Sequence, residues 1–182
     1  MRLVFLDRDG VINHFPGKGV YVVREDKFRF LPGALRAIKL LSDHGFRLVV
    51  VSNQGCVSRG LISRASLRRM TQNMLKKIKA AGGRLHKVYY CMHQKADACQ
   101  CKKPKTLLFE KAMKGLRLKR KEVYFVGDSE EDVQAGHAIG CQTILVLSGR
   151  SKKKDARVFT KKPHFIKKDL LEAARWILKK KS

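Results

Sequence analysis

The stretch Phe5-Leu6-Asp7-Arg8-Asp9-Gly10-Val11-Ile12-Asn13 decides how the rest of the chain is read. Met1 to Leu6 is an apolar, β-favouring run that ends on two carboxylates spaced one residue apart. Residues i and i+2 of a strand face the same way, so Asp7 and Asp9 converge at the strand's carboxyl end, where Gly10 lets the chain turn. Two acids this close repel unless a cation sits between them or one keeps its proton. A Mg²⁺-assisted nucleophile beside a general acid/base needs that arrangement. A turn-forming Asp pair after an edge strand has the same spelling, so the later segments must decide.

Outward from this strand, two kinds of segment alternate. Arg2–Leu6, Phe46–Val51, Lys87–Tyr90, Glu122–Val126 and Thr143–Leu147 read as strands, and Phe46–Val51 is apolar enough to be buried on both faces. Helices are expected over Pro32–His44 with Gly45 as C-cap, over Ser63–Ala81 with Ser63 as N-cap, and over Lys105–Gly115, Glu130–Ile139 and Lys168–Lys180. The alternation predicts an α/β fold, a Rossmann-like parallel sheet flanked by helices, with its site at the carboxyl ends of the strands. Residues 1–182 read as one domain: a motif-bearing core over 1–148, a basic and mobile connector over 149–162, and an amphipathic C-terminal helix over 168–180.

Three more signals fall at strand ends. Phe46–Val51 runs into Ser52-Asn53-Gln54-Gly55, where a hydroxyl and backbone N–H groups suit a phosphate oxygen, although Ser-Asn is also ordinary turn chemistry. Glu122–Val126 ends in Gly127-Asp128-Ser129-Glu130-Glu131-Asp132, where Asp128 can complete an oxygen-ligand set with Asp7 for a hard cation such as Mg²⁺. Glu130 and Glu131 suit the helix dipole, and Asp132 fits either role. Finally, Cys91, His93, Cys99 and Cys101 fall within eleven residues just before Lys102-Lys103-Pro104. Three thiols and one imidazole make up a closed structural Zn²⁺ site. Cys56 and Cys141 lack a partner pattern and read as packing residues.

Composition narrows the classes further. The 41 Lys and Arg against 15 Asp and Glu give a net charge of +26, a field that attracts polyanions without sequence preference. The bases are spread along the chain in short clusters, with no basic tail and no aromatic-interleaved patch. No apolar run approaches the roughly 20 residues of a membrane span, and the N-terminus has no signal-peptide pattern. A cytoplasmic protein with reduced thiols is expected.

The order DxDG, strand-end Ser, Lys and GDxxxD, with the cysteine loop between, resembles the phosphatase branch of the haloacid dehalogenase (HAD) superfamily. Within it, FLDRDGVIN, VSNQGCVSRG, CxHx5CxCKKP and VGDSEEDVQAG are most similar to the heptose-bisphosphate and histidinol-phosphate phosphatases. The resemblance covers about residues 1–148. It implies that Asp7 attacks phosphorus to form an aspartyl-phosphate, while Asp9 protonates the leaving alkoxide and then activates water. Ser52 and Lys103 would hold the phosphoryl oxygens. Asp7, the Asp9 carbonyl and Asp128 would hold Mg²⁺, and the cysteine loop would fix the segment delivering Lys103 in place of a large cap domain. Substrate contacts are expected from Asn13, Tyr21, Asn53, Gln54, Arg59 and Lys102.

The chain departs from the family pattern at Lys102, where Arg is usual, at Ser52, where Thr is usual, and at Gln54-Gly55-Cys56 in place of Gln-Ser-Gly. A small insertion lies around residues 15–19. The expected activity is Mg²⁺-dependent hydrolysis of a small phosphorylated sugar, a heptose bisphosphate foremost, by a monomer. The alternatives are a histidinol-phosphate phosphatase, a nucleic-acid 3′-phosphatase, and a non-catalytic basic nucleic-acid-binding protein on the same scaffold.

Overall fold

A computed structural model describes residues 1–180. Six strands, β1 (Leu3–Leu6), β2 (Arg47–Asn53), β3 (Lys87–Cys91), β4 (Val123–Gly127), β5 (Gln142–Val146) and β6 (Phe165–Lys167), form one sheet in the order β3-β2-β1-β4-β5-β6. Every pairing is parallel. Parallel neighbours need crossover connections: α1 (Ala34–Asp43), α2 (Arg64–Ala80), α3 (Leu107–Met113) and α4 (Glu130–Ala138) link β1 through β5 in turn, a segment without an α-helix links β5 to β6, and α5 (Leu170–Lys179) follows β6. The chain leaves β1 toward β2 on one side and returns to β4 on the other. The crevice where that order reverses therefore opens at the carboxyl ends of β1 and β4, beside Asp7 and Asp128.

Alternate residues of the central strands feed opposite faces. Val4, Leu6, Leu48, Val50 and Val126 pack with α1, α5 and the C-terminal half of α2. Leu3, Phe5, Val49, Val51 and Phe125 pack with α3 and α4. Phe5, Phe109 and Phe125 meet edge to face, with ring centroids 5.0 to 6.4 Å apart. Truncating such a buried ring costs about 3–5 kcal/mol, enough to loosen the strand that carries Asp7. Among the described residues, no helix is long and apolar enough to cross a membrane.

The expected elements are present, with one addition and one correction. The short strand β6 lies between the expected connector, 149–162, and the expected helix from Lys168, in residues given no assignment, because three residues are too few to show an alternation. The 149–162 segment, expected to be mobile, is instead packed down. Ala156 and Phe159 are buried against Val133 and Leu145, and Ser151 donates from its backbone to the Asp128 carbonyl at 3.1 Å. Its many lysines stay outside while a few apolar positions anchor it, a pattern that average polarity conceals.

Candidate active site

Asp7 follows β1 directly, its backbone N–H bonded to the Val126 carbonyl at 3.0 Å, so the nucleophile candidate is tied to the end of β4. Asp128 follows β4 and is almost fully buried. Its carboxylate fits only because two neighbours are glycines. A Cβ on Gly10 or Gly149 would lie 2.0 Å from Asp128 Oδ2, and Gly10 turns at φ +84°. The Arg150 backbone N–H donates to the same oxygen at 2.7 Å. Asp7, Asp9, Ser52, Asn53, Tyr21, Lys102, Lys103 and Asp128 all line one cavity of about 230 Å³, roofed by residues 15–20.

Lys103 reaches this floor from the loop after the cysteine cluster. Its buried ammonium lies 2.9 Å from Asp7 Oδ1, 2.6 Å from Asp132 Oδ1 and 3.0 Å from the Val51 carbonyl, one acceptor for each of its three protons. Burial works against its charge, but Asp132 and Asp7 outweigh burial and hold the pKa above the usual lysine value. Burial also raises the Asp7 carboxyl to about 6, against the pull of Lys103. It raises Asp128 well above the usual carboxylate range, reinforced by Asp132 and Asp7.

Asp132, which the sequence left between two roles, proves to be an anchor. Its Oδ2 accepts from the Asp128 and Ser129 backbone N–H groups at 3.1 Å each and from the Ser129 hydroxyl at 2.6 Å, and its Oδ1 faces Lys103. The Ser129-x-x-Asp132 spacing that caps α4 was the legible signal. Glu130 accepts from Thr160 and Glu131 pairs with Arg150, so both acids hold the 149–162 segment as well as sitting at a helix start.

Three expected substrate contacts are placed elsewhere. Asn13 and Gln54 have no exposed surface; each donates a side-chain N–H to the Asp9 carboxylate at 2.7 Å. Arg59 is exposed outside the cavity, its guanidinium 5.7 Å from the Tyr21 ring. Strand-end polar residues carry the same spelling whether they face the cavity or the layer beneath it, and only packing separates the two. Asn53, at the cavity edge, also clasps the Lys103 backbone: its Oδ1 accepts from the Lys103 N–H at 3.0 Å and its Nδ2 donates to the Lys103 carbonyl at 3.3 Å. Arg8 is a participant the sequence reading passed over, a charged residue wedged between the two aspartates and buried to 1% exposure.

The donor set suits a hard divalent cation. Four carboxylates, from Asp7, Asp9, Asp128 and Asp132, meet two buried cations. Arg8 pairs with Asp9, and Lys103 pairs with Asp132 and Asp7. With all four ionised, two negative charges are left for a cation to neutralise, and Asp7, Asp128 and Asp132 can each bring an oxygen within 4.8 Å of the others. Because both Asp132 oxygens already have partners, Asp7 and Asp128 are the carboxylates free to ligate.

The second cluster is of another kind. The Cys91, Cys99 and Cys101 sulfurs lie 3.3 to 3.6 Å apart, and His93 Nδ1 lies 3.2 Å from Cys101 and 3.8 Å from Cys91. Zn–S bonds of about 2.3 Å in a tetrahedron put sulfurs about 3.8 Å apart, close to this spacing. All five cysteines are free thiols, and Cys56 and Cys141 are buried among apolar neighbours as expected.

The comparisons with known proteins agree with this geometry. A family profile described as HAD-hydrolase-like matches residues 100–173. The D-glycero-beta-D-manno-heptose-1,7-bisphosphate 7-phosphatase of Neisseria meningitidis serogroup A is 34% identical over 153 residues, covering 84% of this chain and 81% of that protein. The enzyme of the same name from Vibrio cholerae is 37% identical over 155 residues, covering 81% and 82%. The crystal structure of D,D-heptose 1,7-bisphosphate phosphatase from B. bronchiseptica, complexed with magnesium and phosphate, superposes with a TM-score of 0.92 at 30% identity over 99% of both chains. A parallel sheet in this order, its carboxylates gathered at one crevice and similarity over most of the chain lead to one conclusion: this chain is a phosphatase of the HAD-like hydrolases, in the family of the D-glycero-beta-D-manno-heptose-1,7-bisphosphate 7-phosphatases.

Proposed function

We propose that the chain removes the 7-phosphate of D-glycero-β-D-manno-heptose 1,7-bisphosphate through an aspartyl-phosphate on Asp7. The observation that carries the reading is the convergence of Asp7, Asp9, Ser52 and Lys103 on one small cavity, with Lys103 Nζ 2.9 Å from the Asp7 carboxylate. An Asp7 oxygen attacks phosphorus and the bond to the sugar oxygen breaks. Asp9 gives that oxygen its proton. A water then attacks the same phosphorus, Asp9 takes its proton, and the Asp7–phosphate bond breaks to release inorganic phosphate. Ser52 and Lys103 orient the phosphoryl oxygens and offset their charge, which is most of what phosphoryl transfer asks of a protein.

Asp7, Asp128 and the Asp9 backbone carbonyl would hold Mg²⁺, which when bound neutralises charge on the phosphoryl group. Cys91, His93, Cys99 and Cys101 would hold a structural Zn²⁺ that fixes the loop ending in Lys102 and Lys103. Tyr21, Lys102 and the 15–20 loop face the substrate's far end.

The test is a phosphate-release screen with Mg²⁺ over the heptose bisphosphate, histidinol phosphate and a 3′-phosphorylated oligonucleotide. The highest kcat/KM is expected for the heptose. A higher value for either competitor would move the substrate assignment.

A further inference from the structure

Arg8 is a buried cation that the chemistry above does not use. Its Nη2 lies 3.1 and 3.0 Å from the two Asp9 oxygens and donates to Gln54 Oε1 at 3.0 Å. Its guanidinium lies over the Tyr90 and Phe28 rings, 5.6 and 5.8 Å from their centroids. From two other parts of the chain, Asn13 Nδ2 donates to Asp9 Oδ1 and Gln54 Nε2 to Asp9 Oδ2, both at 2.7 Å. Each Asp9 oxygen is therefore held from two sides, while the carboxyl still borders the cavity.

Stability alone does not account for this arrangement. Burying an ion costs several kcal/mol, and apolar residues of similar volume usually do as well or better. Arg8 Nε and Asn13 Oδ1 are buried and lack a hydrogen-bond partner among the described residues, a further cost of about 1–3 kcal/mol each. The polar set is spent on one group, the Asp9 carboxyl. A free carboxyl can turn about its last bond, whereas proton transfer needs an oxygen within hydrogen-bond reach of the reacting group.

We propose that Arg8, with Asn13 and Gln54, is a positioning device that fixes the orientation of the Asp9 carboxyl, so that Asp9 can serve both the leaving oxygen and the attacking water. The inference rests on the reading of Asp9 as general acid and base. It assigns Arg8 no contact with substrate.

The test separates the two half-reactions. An alkyl leaving group such as the heptose needs the Asp9 proton. p-Nitrophenolate leaves without one, but its aspartyl-phosphate still needs Asp9 to activate water. Arg8→Met keeps side-chain length and removes the donors, and Asn13→Leu removes one donor if Arg8→Met does not fold. With the heptose bisphosphate, kcat is expected to fall about 100-fold with KM within about threefold of the parent. With p-nitrophenyl phosphate, rapid mixing should show one nitrophenolate per enzyme released at nearly the parent rate, followed by slow turnover. A folded variant that slows the burst and the steady state equally would make the role of Arg8 purely structural. A variant that keeps kcat on the heptose within about threefold of the parent would also overturn the proposal. A parent enzyme that releases phosphate from neither substrate would instead remove the underlying reading of Asp9.

Discussion

The carboxylate cluster and the cysteine cluster are joined by a few residues of chain, from Cys101 to Lys103, yet opposite physics holds them together. The acids are gathered from the ends of β1 and β4 and from the start of α4, and the lysine loop brings Lys103 to them. Even with Lys103 and Arg8 in place, burial leaves Asp7 and Asp128 poorly stabilised as anions. The cysteine cluster comes from a single eleven-residue stretch, and its four ligand atoms all lie within 4.8 Å of one another. A site that must accept and release a dianionic group is improved by unspent charge, because the transferring phosphoryl and its cation complete it. A site that serves as a brace is improved by being closed. Asn53 couples the two, since it clasps the backbone of Lys103 from the end of β2.

The comparison breaks first at Asp7. Asp7→Asn keeps the shape and removes the attacking oxygen's charge, so turnover of the heptose bisphosphate should fall to background while the thermal transition stays at or above the parent's. Near-parent turnover would remove Asp7 as nucleophile and dissolve the contrast.

The cysteine cluster should respond in the reverse sense. Cys99→Ser is expected to lower Tm by about 10 °C, equivalent to about 3 kcal/mol in a domain of this size, and to lower the zinc content measured by elemental analysis in step. Unchanged Tm, or a parent purified without chelator that carries no zinc, would show that the cluster is not a brace.

The smallest and sharpest effect concerns Asp128. Its pKa is raised by burial, Asp132 and Asp7, so the cost of ionising it is absent below its unfolded pKa and grows as pH rises through the folded one. Asp128→Asn should therefore raise the Tm of the Mg²⁺-free protein at pH 7.5 by about 3 °C, roughly 1 kcal/mol. The gain should shrink on acidification toward pH 4, and the variant should be inactive. A lower Tm at pH 7.5 would mean that Asp128 is not held against charge repulsion.

Much of this was legible along the chain because the signals are local. Asp7 and Asp9 are two residues apart on one strand, the four cysteine-cluster ligands lie within eleven residues, and near-continuous apolar runs identify strands buried on both faces. Period and spacing are properties of the backbone, and they survive folding unchanged. What the sequence by itself determined was thus the parallel sheet, the crevice at its carboxyl ends, the acids placed there and the composition of the cysteine cluster. Tertiary structure alone decided the depth of each polar side chain. Asn13 and Gln54 turn under Asp9, Arg59 stays outside, Arg8 enters the interior, and Asp132 adds a salt bridge with Lys103 to its capping role. The reason is physical: a side chain's depth depends on contacts between residues tens of positions apart, as when Gln54 meets Asp9 or Lys103 meets Asp7, and no local spacing encodes such contacts.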